Sequence, residues 1–470
     1  MLRNGRDGDH VACSTGRCSE VRGSDPKMLT RSSFAAKLSG MSKEAHRIVI
    51  AGAGIGGLVA ALSLEAAGFR DIVVYERVPE LKPLGVGINL LPHAVRELTE
   101  LGLGDAVAAL GVAPSRLSYY NRLGQPIWSE PRGLDAGYRW PQLSVHRGEF
   151  QMRLVDEVIA RLGADAVRQG SRLVSVEHGD DVEFARFVSE DGTEFEVEAD
   201  VFIGADGIHS TLRKQEYPTE GAPPWNGLIL WRGTATIPSY LDGRTMIMAG
   251  DGEQKFVAYP LVDAEAGEGL SRVNFIAERR APEGTRETGD WNHSVDPAPI
   301  VDLFKDWAFD WLDVPAAIAA ADQILEYPMV DRDPVDRWVF GRSVLIGDGA
   351  HAMYPNGSNG ASQAILDART LAFHLALADE TVGGVVAALA AYETDRRPAT
   401  AKLLAMTRQL GPEKVMQIAY DRAPGGFADI HDVIPQDELQ QIADDYKRAA
   451  GFHPAGLNER ASLTPPRVQD

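Results

Sequence analysis

The chain has 470 residues and a formal net charge of −20 at pH 7, with 44% hydrophobic and 24% charged residues. This length allows two or three domains with large cores. The acidic balance argues against nucleic acid or an anionic membrane surface as the main partner. No apolar run of about 18 residues occurs, so we expect no membrane span.

The first 45 residues differ in composition from the rest of the chain. They are rich in Gly, Ser, Arg and Asp and lack periodicity, which predicts a disordered extension over residues 1–45. Met41, six residues before the first strand-like run, indicates an extended start or an appended tail. Because both cysteines, Cys13 and Cys18, lie here, the remaining chain has no disulfide, thiolate metal site or cysteine nucleophile. This usage fits a cytoplasmic protein, and no metal site is expected.

The clearest motif follows a short apolar strand at residues 47–51. The strand leads into Gly52, Gly54 and Gly57, and a helix-like run and a second apolar strand then end in Glu76. In a dinucleotide-binding unit the first glycine permits the tight turn, the second lets backbone approach a pyrophosphate, and the third lets helix and strand pack closely. The helix N terminus attracts the diphosphate. Since Glu76 can accept hydrogen bonds from a ribose and would repel a 2′-phosphate, the motif predicts FAD or NAD.

Three segments after this motif are further candidates for ligand contact. The loop 81–89 contains proline and glycines, so it can pass closely over a ligand. Arg147 precedes a helical pattern over 148–162, where a surface ion pair is an equally good interpretation. Asp206 ends an apolar strand in an Asp-Gly pair that also suits an ordinary turn.

Residues 225–334 have a different character. They hold five of the eight tryptophans, and several runs have the composition of strands in a broad sheet. A helical segment is predicted around 300–320. Aromatic side chains of such a sheet can wall a cavity for a planar substrate, although each one alone fits a core position better. The wall candidates are Trp225, Trp231, Phe256 and Tyr259.

A second nucleotide-binding pattern begins near residue 342. A buried strand ends at Asp348, which suits either a ribitol hydroxyl or the cap of a turn. The helix predicted over 359–378 would point its N terminus, near Gly360, at a flavin pyrimidine, where the dipole stabilises negative charge. His351 is interpreted as a turn histidine bonded to backbone, rather than as a base or a flavin attachment site. Because this pattern resembles the first one, we expect the chain to leave the nucleotide-binding domain and to re-enter it near residue 342.

The predicted fold is α/β, with a discontinuous Rossmann-type FAD-binding domain, an inserted mixed β-sheet substrate domain and C-terminal helices. The predicted segments are the extension 1–45, the first part of the FAD-binding domain 46–224, the substrate domain 225–334, the second part 335–400, and the C-terminal helices and tail 401–470.

Taken together, three motifs resemble the signatures of single-component flavoprotein aromatic hydroxylases, the para-hydroxybenzoate and salicylate hydroxylase group. They are the glycine turn with Glu76, Gly-Ala-Asp-Gly-Ile-His-Ser at 204–210, and Gly-Asp-Gly-Ala-His at 347–351. The likeness is greatest to the phenazine-modifying monooxygenase type of pyocyanin biosynthesis, and it covers about residues 46–400.

The resemblance implies roles for individual residues. Arg232 and Tyr259 match an arginine and a tyrosine proposed as active-site residues in related proteins, so Arg232 would pair with a substrate carboxylate and Tyr259 would relay a phenolic proton. For FAD, the resemblance implies that Glu76 holds the adenosine ribose and that Arg147 contacts the diphosphate or the ribityl side. Asp206 would lie near the diphosphate and the approach of the nicotinamide, and Asp348 would bind the ribitol. Gly87 and Ala361 would contact FAD through their backbone.

The implied reaction is hydroxylation of an aromatic or heteroaromatic substrate by non-covalently bound FAD, with NADH or NADPH and O2. Because no second glycine fingerprint follows a strand, NAD(P)H is expected to visit transiently. Reduced flavin would form a C4a-hydroperoxide, which survives only where water is excluded. The alternative is a flavin-dependent dehydrogenase or reductase of the same fold that does not activate oxygen. The expected partners are the small aromatic substrate, O2 and NAD(P)H, without nucleic acid or membrane, and a homodimer is left open.

Overall fold

The computed structural model describes residues 43–262, 269–285, 293–379 and 381–465. The prediction of a disordered extension over 1–45 falls almost wholly outside these residues. A six-stranded sheet forms the centre of the fold, and its neighbouring strands run parallel except for the first pair. In spatial order the strands are Val339–Phe340, Ser343–Leu345, Val201–Gly204, Ile48–Ala51, Ile72–Tyr75 and Val167–Arg168.

This sheet joins distant parts of the sequence. Ile48–Ala51 is buried at every position, as expected of a parallel strand covered on both faces. It pairs with Ile72–Tyr75 on one side and with Val201–Gly204 on the other. Ser343–Leu345 then pairs with Val201–Gly204, so the chain leaves this sheet and returns to it. The predicted discontinuous α/β fold is confirmed.

Helices cover the sheet and make up most of the C-terminal part. Ile55–Ala66 packs against Gly360–Leu377, which agrees with the helix predicted over 359–378. The α-helices of the described residues are Ile55–Ala66, Pro92–Glu100, Gly104–Ala108, Arg147–Leu162, Thr211–Glu216, Pro297–Leu303, Val314–Ala319, Asp348–His351, Gly360–Leu377, Val382–Thr407, Lys414–Arg422, Gln436–Ala449 and Pro454–Glu459. Within the described ranges no helix is both long and apolar enough to cross a bilayer.

An eight-stranded, mostly antiparallel sheet forms the second layer. In spatial order its strands are His293–Ser294, Ala321–Val330, Trp225–Pro238, Leu270–Arg280, Gln254–Val262, Thr245–Gly250, Arg116–Tyr120 and Pro126–Pro131. The last two strands form a hairpin that precedes residue 225, and Arg116–Tyr120 pairs in parallel with Thr245–Gly250. This broad sheet is therefore wider than the segment 225–334 predicted from the sequence.

The two faces of the broad sheet bury different side chains. One face packs against the helices Pro297–Leu303 and Val314–Ala319 and carries Trp231 and Phe256. The other face, which carries Tyr259, packs toward the C-terminal helices. Side chains alternate between the two faces of a strand, so Trp231 and the next residue, Arg232, lie on opposite faces. Trp231 and Phe256 are thus core residues, the position that each one alone was expected to fit better, and they do not line the cavity between the two large sheets.

Three smaller sheets complete the fold. A meander is formed by Ser171–His178, Glu183–Ser189 and Glu194–Ala199. A second three-stranded sheet contains Gly87–Leu90, Gly111–Val112 and Leu143–His146, and a two-stranded ribbon contains Ala308–Phe309 and Leu312–Asp313. This ribbon interrupts the helical segment that the sequence predicts around 300–320.

Candidate functional site

The three glycines after the first strand have different surroundings. Gly52 has a φ of +108°, and a Cβ there would lie 2.4 Å from the carbonyl oxygen of Ala205. A Cβ at Gly57 would lie 2.0 Å from the carbonyl oxygen of Gly52. A Cβ at Gly54, in contrast, would have no atom within 4 Å. The outer two glycines therefore permit close backbone packing, and Gly54 leaves open space at the N terminus of Ile55–Ala66.

Glu76 follows the strand Ile72–Tyr75 and turns back toward the glycine loop. Its Oε2 accepts a hydrogen bond from the Ala53 N–H at 2.8 Å, and its Oε1 accepts one from the Val78 N–H at 2.9 Å. These bonds fix the carboxylate at the edge of the loop. Glu76 does not line the cavity between the six-stranded sheet and the broad sheet, nor do Gly52, Gly57 and Asp206.

A cavity of about 370 Å³ lies between the six-stranded sheet and the broad sheet. Its walls come from segments between Gly54 and Glu413. These segments meet because the chain returns to the nucleotide-binding sheet with Ser343–Leu345. The residues predicted as site residues that line it are Gly54, Gly87, Arg147, Arg232, Tyr259, Asp348, Gly360 and Ala361. Apolar side chains from the broad sheet add Met248, Val257 and Ile276.

One side of the cavity is formed by two helix starts and a turn. Gly347 has a φ of +57° and lies between the strand Ser343–Leu345 and the short helix Asp348–His351. Asp348 is the first residue of this helix, and its side chain is exposed. The helix Gly360–Leu377 then begins at the cavity, where a Cβ at Gly360 would meet no atom within 4 Å. A helix start presents free N–H groups and a positive dipole end, so this side favours a ligand with negative charge.

The opposite side of the cavity is formed by the broad sheet. The Arg232 guanidinium donates from Nη2 to the carbonyl oxygen of Gly87 at 3.0 Å, and Asn274 Oδ1 accepts the Gly87 N–H at 2.7 Å. A Cβ at Gly87 would lie within 2.9 Å of both Asn274 and Tyr259. Burial raises the pKa of Tyr259 to about 12, although the nearby Arg232 charge acts in the opposite direction. Tyr259 therefore keeps its proton at neutral pH.

Arg147 and Asp206 occupy different places at this site. Arg147 is exposed, lines the cavity, and begins the helix Arg147–Leu162. Asp206 Oδ2 accepts the Thr211 N–H at 2.7 Å, and its Oδ1 is buried without a partner among the described residues. Burial raises the pKa of Asp206, against the effect of these hydrogen bonds. Asp206 lies directly before Gly207, which does line the cavity.

A buried ionic network behind the turn escapes the sequence analysis. Asp367 Oδ2 accepts the Gly347 N–H at 2.9 Å and meets His351 Nε2 at 2.5 Å, and Arg396 Nε donates to Asp367 Oδ1 at 2.7 Å. His351 thus bonds a carboxylate rather than backbone, contrary to the prediction. Burial acts to raise the pKa of Asp367, but the His351 and Arg396 charges outweigh it and lower the pKa. The network fixes the turn that presents Asp348.

Comparison with known proteins identifies the family of this chain. A family profile described as "FAD binding domain" matches residues 45–225 and 314–407. The chain is 45% identical over 367 residues to the phenazine 1,6-dicarboxylic acid hydroxylase PhzS of Lysobacter antibioticus, an alignment that covers 77% of this chain and 89% of that protein. The chain belongs to the FAD-dependent aromatic hydroxylase family.

Two further proteins are similar to this flavin hydroxylase. A 3-amino-4-hydroxybenzoate 2-monooxygenase of Streptomyces cremeus is 33% identical over 374 residues, or 78% of this chain and 87% of that one. The crystal structure of HpxO from Klebsiella pneumoniae, complexed with FAD and uric acid, matches with a TM-score of 0.67 and 25% identity. That match covers 88% of this chain and 99% of HpxO.

The residues of this flavin hydroxylase fit FAD. The open space at Gly54 and at Gly360 leaves two helix starts accessible at one cavity, and such starts bind the negatively charged parts of a dinucleotide. In the described part of the chain, no group of three or more His, Cys, Asp and Glu side chains is placed to hold a metal ion.

Proposed function

We propose that this hydroxylase uses NADH or NADPH and O2 to hydroxylate a planar aromatic or heteroaromatic substrate of the phenazine, salicylate or hydroxybenzoate type. One observation supports this most strongly. A single cavity unites the open glycines and helix starts of the nucleotide-binding sheet with Arg232 and Tyr259 of the broad sheet. Redox cofactor and substrate would therefore meet in one cavity. The substrate types follow the names of the similar proteins.

On the flavin side, each group has a role that its chemistry suits. Gly54 and the N terminus of Ile55–Ala66 would hold the diphosphate, with Arg147 as the nearby cation. Gly360 and Ala361 would place the second helix start at the flavin ring. Bound FAD supplies the redox chemistry by passing electrons from NAD(P)H to O2. We assign Glu76 to the adenosine ribose and Asp348 to the ribitol. Asp206 would lie near the diphosphate and the approach of the nicotinamide, and Gly87 belongs to the loop over the flavin.

On the substrate side, Arg232 and Tyr259 divide two tasks. The Arg232 guanidinium would pair with an anionic group of the substrate, which orients the ring against the apolar wall of Met248, Val257 and Ile276. Tyr259 is a neutral phenol at the working pH, so it would donate a hydrogen bond to a substrate oxygen and pass a proton when that oxygen changes charge. Packing between the two sheets would exclude water from the reacting atoms.

The oxygen requirement tests the proposal. FAD-loaded protein should oxidise NADH or NADPH faster when phenazine-1-carboxylate, salicylate or 4-hydroxybenzoate is added, with matching O2 uptake. Arg272→Ala should behave like the wild type, since Arg272 is exposed, pairs with Asp322 and does not line the cavity. Substrate-stimulated oxidation that proceeds equally well without O2 would instead establish the alternative, a reductase.

Two further expectations concern the cellular location and the oligomeric state. We propose a cytoplasmic location, which fractionation of the native host would test. A homodimer remains a prediction, and light scattering on the FAD-loaded protein would measure its mass.

A further inference from the structure

Three buried charged side chains form a cluster beside Arg232 at the cavity. Lys255 Nζ contacts Glu278 Oε2 at 3.0 Å and also contacts Glu413 Oε2. Lys255 and Glu278 are 4% exposed and Glu413 is 3% exposed. Both glutamates line the main cavity, whereas Lys255 does not. Two carboxylates therefore face the space that we assign to the substrate, and one lysine lies between them.

The strand register places Glu278 close to Arg232. Arg232 pairs with Ile276 across the ladder, and Glu278 pairs with Lys255 on the other neighbouring strand. Ile276 and Glu278 are two residues apart, so they face the same side of the sheet with Cα atoms about 7 Å apart. The Arg232 guanidinium and the Glu278 carboxylate thus belong to the same wall of the cavity.

The charges of this wall do not require a second carboxylate for structural reasons. A buried lysine needs one counterion, and Glu413 supplies it while its Oε1 accepts the Gly357 N–H at 3.2 Å. Burial raises the pKa of Glu278, and the Glu413 charge adds to this, whereas Lys255 and Arg232 act to lower it. Glu278 is therefore a second carboxyl group whose burial costs free energy. It pairs with Lys255 and otherwise faces the cavity.

We propose that Glu278 is a specificity-determining residue that accepts a hydrogen bond from a hydroxyl or ring N–H of the substrate, while Arg232 holds the anionic group. The inference rests on the proposed function and narrows its substrate class. The substrate is a planar aromatic acid that carries both an anionic group and a proton-bearing oxygen or nitrogen. A site built to accept a hydrogen bond discriminates strongly against the analogue that lacks the donor, because its buried polar group is then left unpaired.

Binding without turnover tests this assignment. Dissociation constants are measured on FAD-loaded protein from the change in flavin absorbance, for benzoate against 3- and 4-hydroxybenzoate and for phenazine-1-carboxylate against its hydroxylated derivatives. We expect the wild type to prefer the best hydroxylated acid by at least about tenfold, and Glu278→Met, which has no oxygen to accept the bond, to reduce that preference to within about threefold. The variant keeps the Lys255 and Glu413 pair, so it leaves no unpaired buried charge.

A matched control and a second variant sharpen the outcome. Glu130→Gln removes another buried glutamate that pairs with a lysine, Lys447, but lies outside the main cavity, and should leave the preference unchanged. Glu278→Asp keeps the acceptor and should retain part of the preference. A merely structural role would weaken all ligands alike and preserve the ratio in Glu278→Met, which would overturn the assignment. Equal binding of both acids by the wild type would also overturn it, whereas absent oxygen incorporation would count only against the proposed function.

Discussion

Arg232 and Gly87 lie 145 residues apart and are joined by a hydrogen bond of 3.0 Å from the guanidinium Nη2 to the carbonyl oxygen. The bond ties the broad sheet to the loop that enters the cavity from the nucleotide-binding side. Arg232 Nε has no partner among the described residues. The guanidinium also lies over the Tyr327 ring, with 5.9 Å between Cζ and the ring centroid, and it lines the cavity.

Removing this guanidinium should impair turnover without loss of FAD. We expect Arg232→Ala to lower kcat/KM for an aromatic acid by about 100-fold, the value of one charge-assisted hydrogen-bonded pair. Arg232→Lys should recover only part of this loss, because an ammonium lacks the planar fork. Steady-state kinetics gives the ratio, with Arg272→Ala on the same sheet as the control. Wild-type kcat/KM in Arg232→Ala would exclude Arg232 from substrate binding.

The glycine loop offers a pair of substitutions with opposite consequences. Gly54→Ala adds a methyl group to open space at an ordinary φ of −72°, so the fold should be retained and FAD affinity should fall by about tenfold. Gly57→Ala drives a Cβ to 2.0 Å from a carbonyl oxygen and should lower the melting temperature even without FAD. The measurements are the FAD content by absorbance and the melting temperature of each apoprotein. Unchanged FAD affinity in Gly54→Ala would show that the diphosphate binds elsewhere.

The buried network below Asp348 should be important for stability. Asp367→Asn leaves Arg396 buried without its counterion, and we expect a loss of about 3 kcal/mol or more in the free energy of unfolding. The exposed pair of Asp71 and Arg47 supplies the control, since Asp71→Asn should cost less than about 1 kcal/mol. Urea titration compares the two. Equal losses would mean that the network contributes no more than a surface ion pair.

His178 provides a test based on pH. Its Nδ1 meets Glu183 Oε2 at 2.6 Å and its Nε2 meets Glu216 Oε1 at 3.1 Å. The bond to Glu183 raises the pKa of His178 to about 9, against burial and with help from Glu216. Because the folded pKa exceeds the unfolded value of about 6.5, the stabilisation is complete below that pH and is lost as the pH rises through 9.

The His178→Gln variant measures this contribution. The difference in unfolding free energy between wild type and variant should be largest at pH 6 and should shrink by pH 10. A difference that stays constant across this range would contradict the raised pKa.

The sequence predicts the parts of the fold that depend on local pattern. Gly52, Gly54 and Gly57 identify the nucleotide-binding unit, since each occupies a backbone position that a side chain would block or cover. The return of the chain to this sheet is also predictable from the sequence, because the buried strand and glycine turn near Asp348 repeat the pattern at Gly52–Gly57.

Other features depend on which faces meet, and a single sequence does not state this. Alternation along a strand does place Trp231 opposite to Arg232, and that rule alone corrects the predicted aromatic wall. The bonds of Asp367 to Arg396 and of Lys255 to Glu413 carry no sequence pattern. They form only when helices and strands from separate segments pack together.

Oxygen insertion into an aromatic ring is the reaction that we propose for this cavity. Turnover of an aromatic acid by FAD-loaded protein under ¹⁸O2, followed by mass spectrometry of the product, tests it. We expect one ¹⁸O atom in each hydroxylated product and none when the label is in water. A product without ¹⁸O, or with oxygen derived from water, would contradict it.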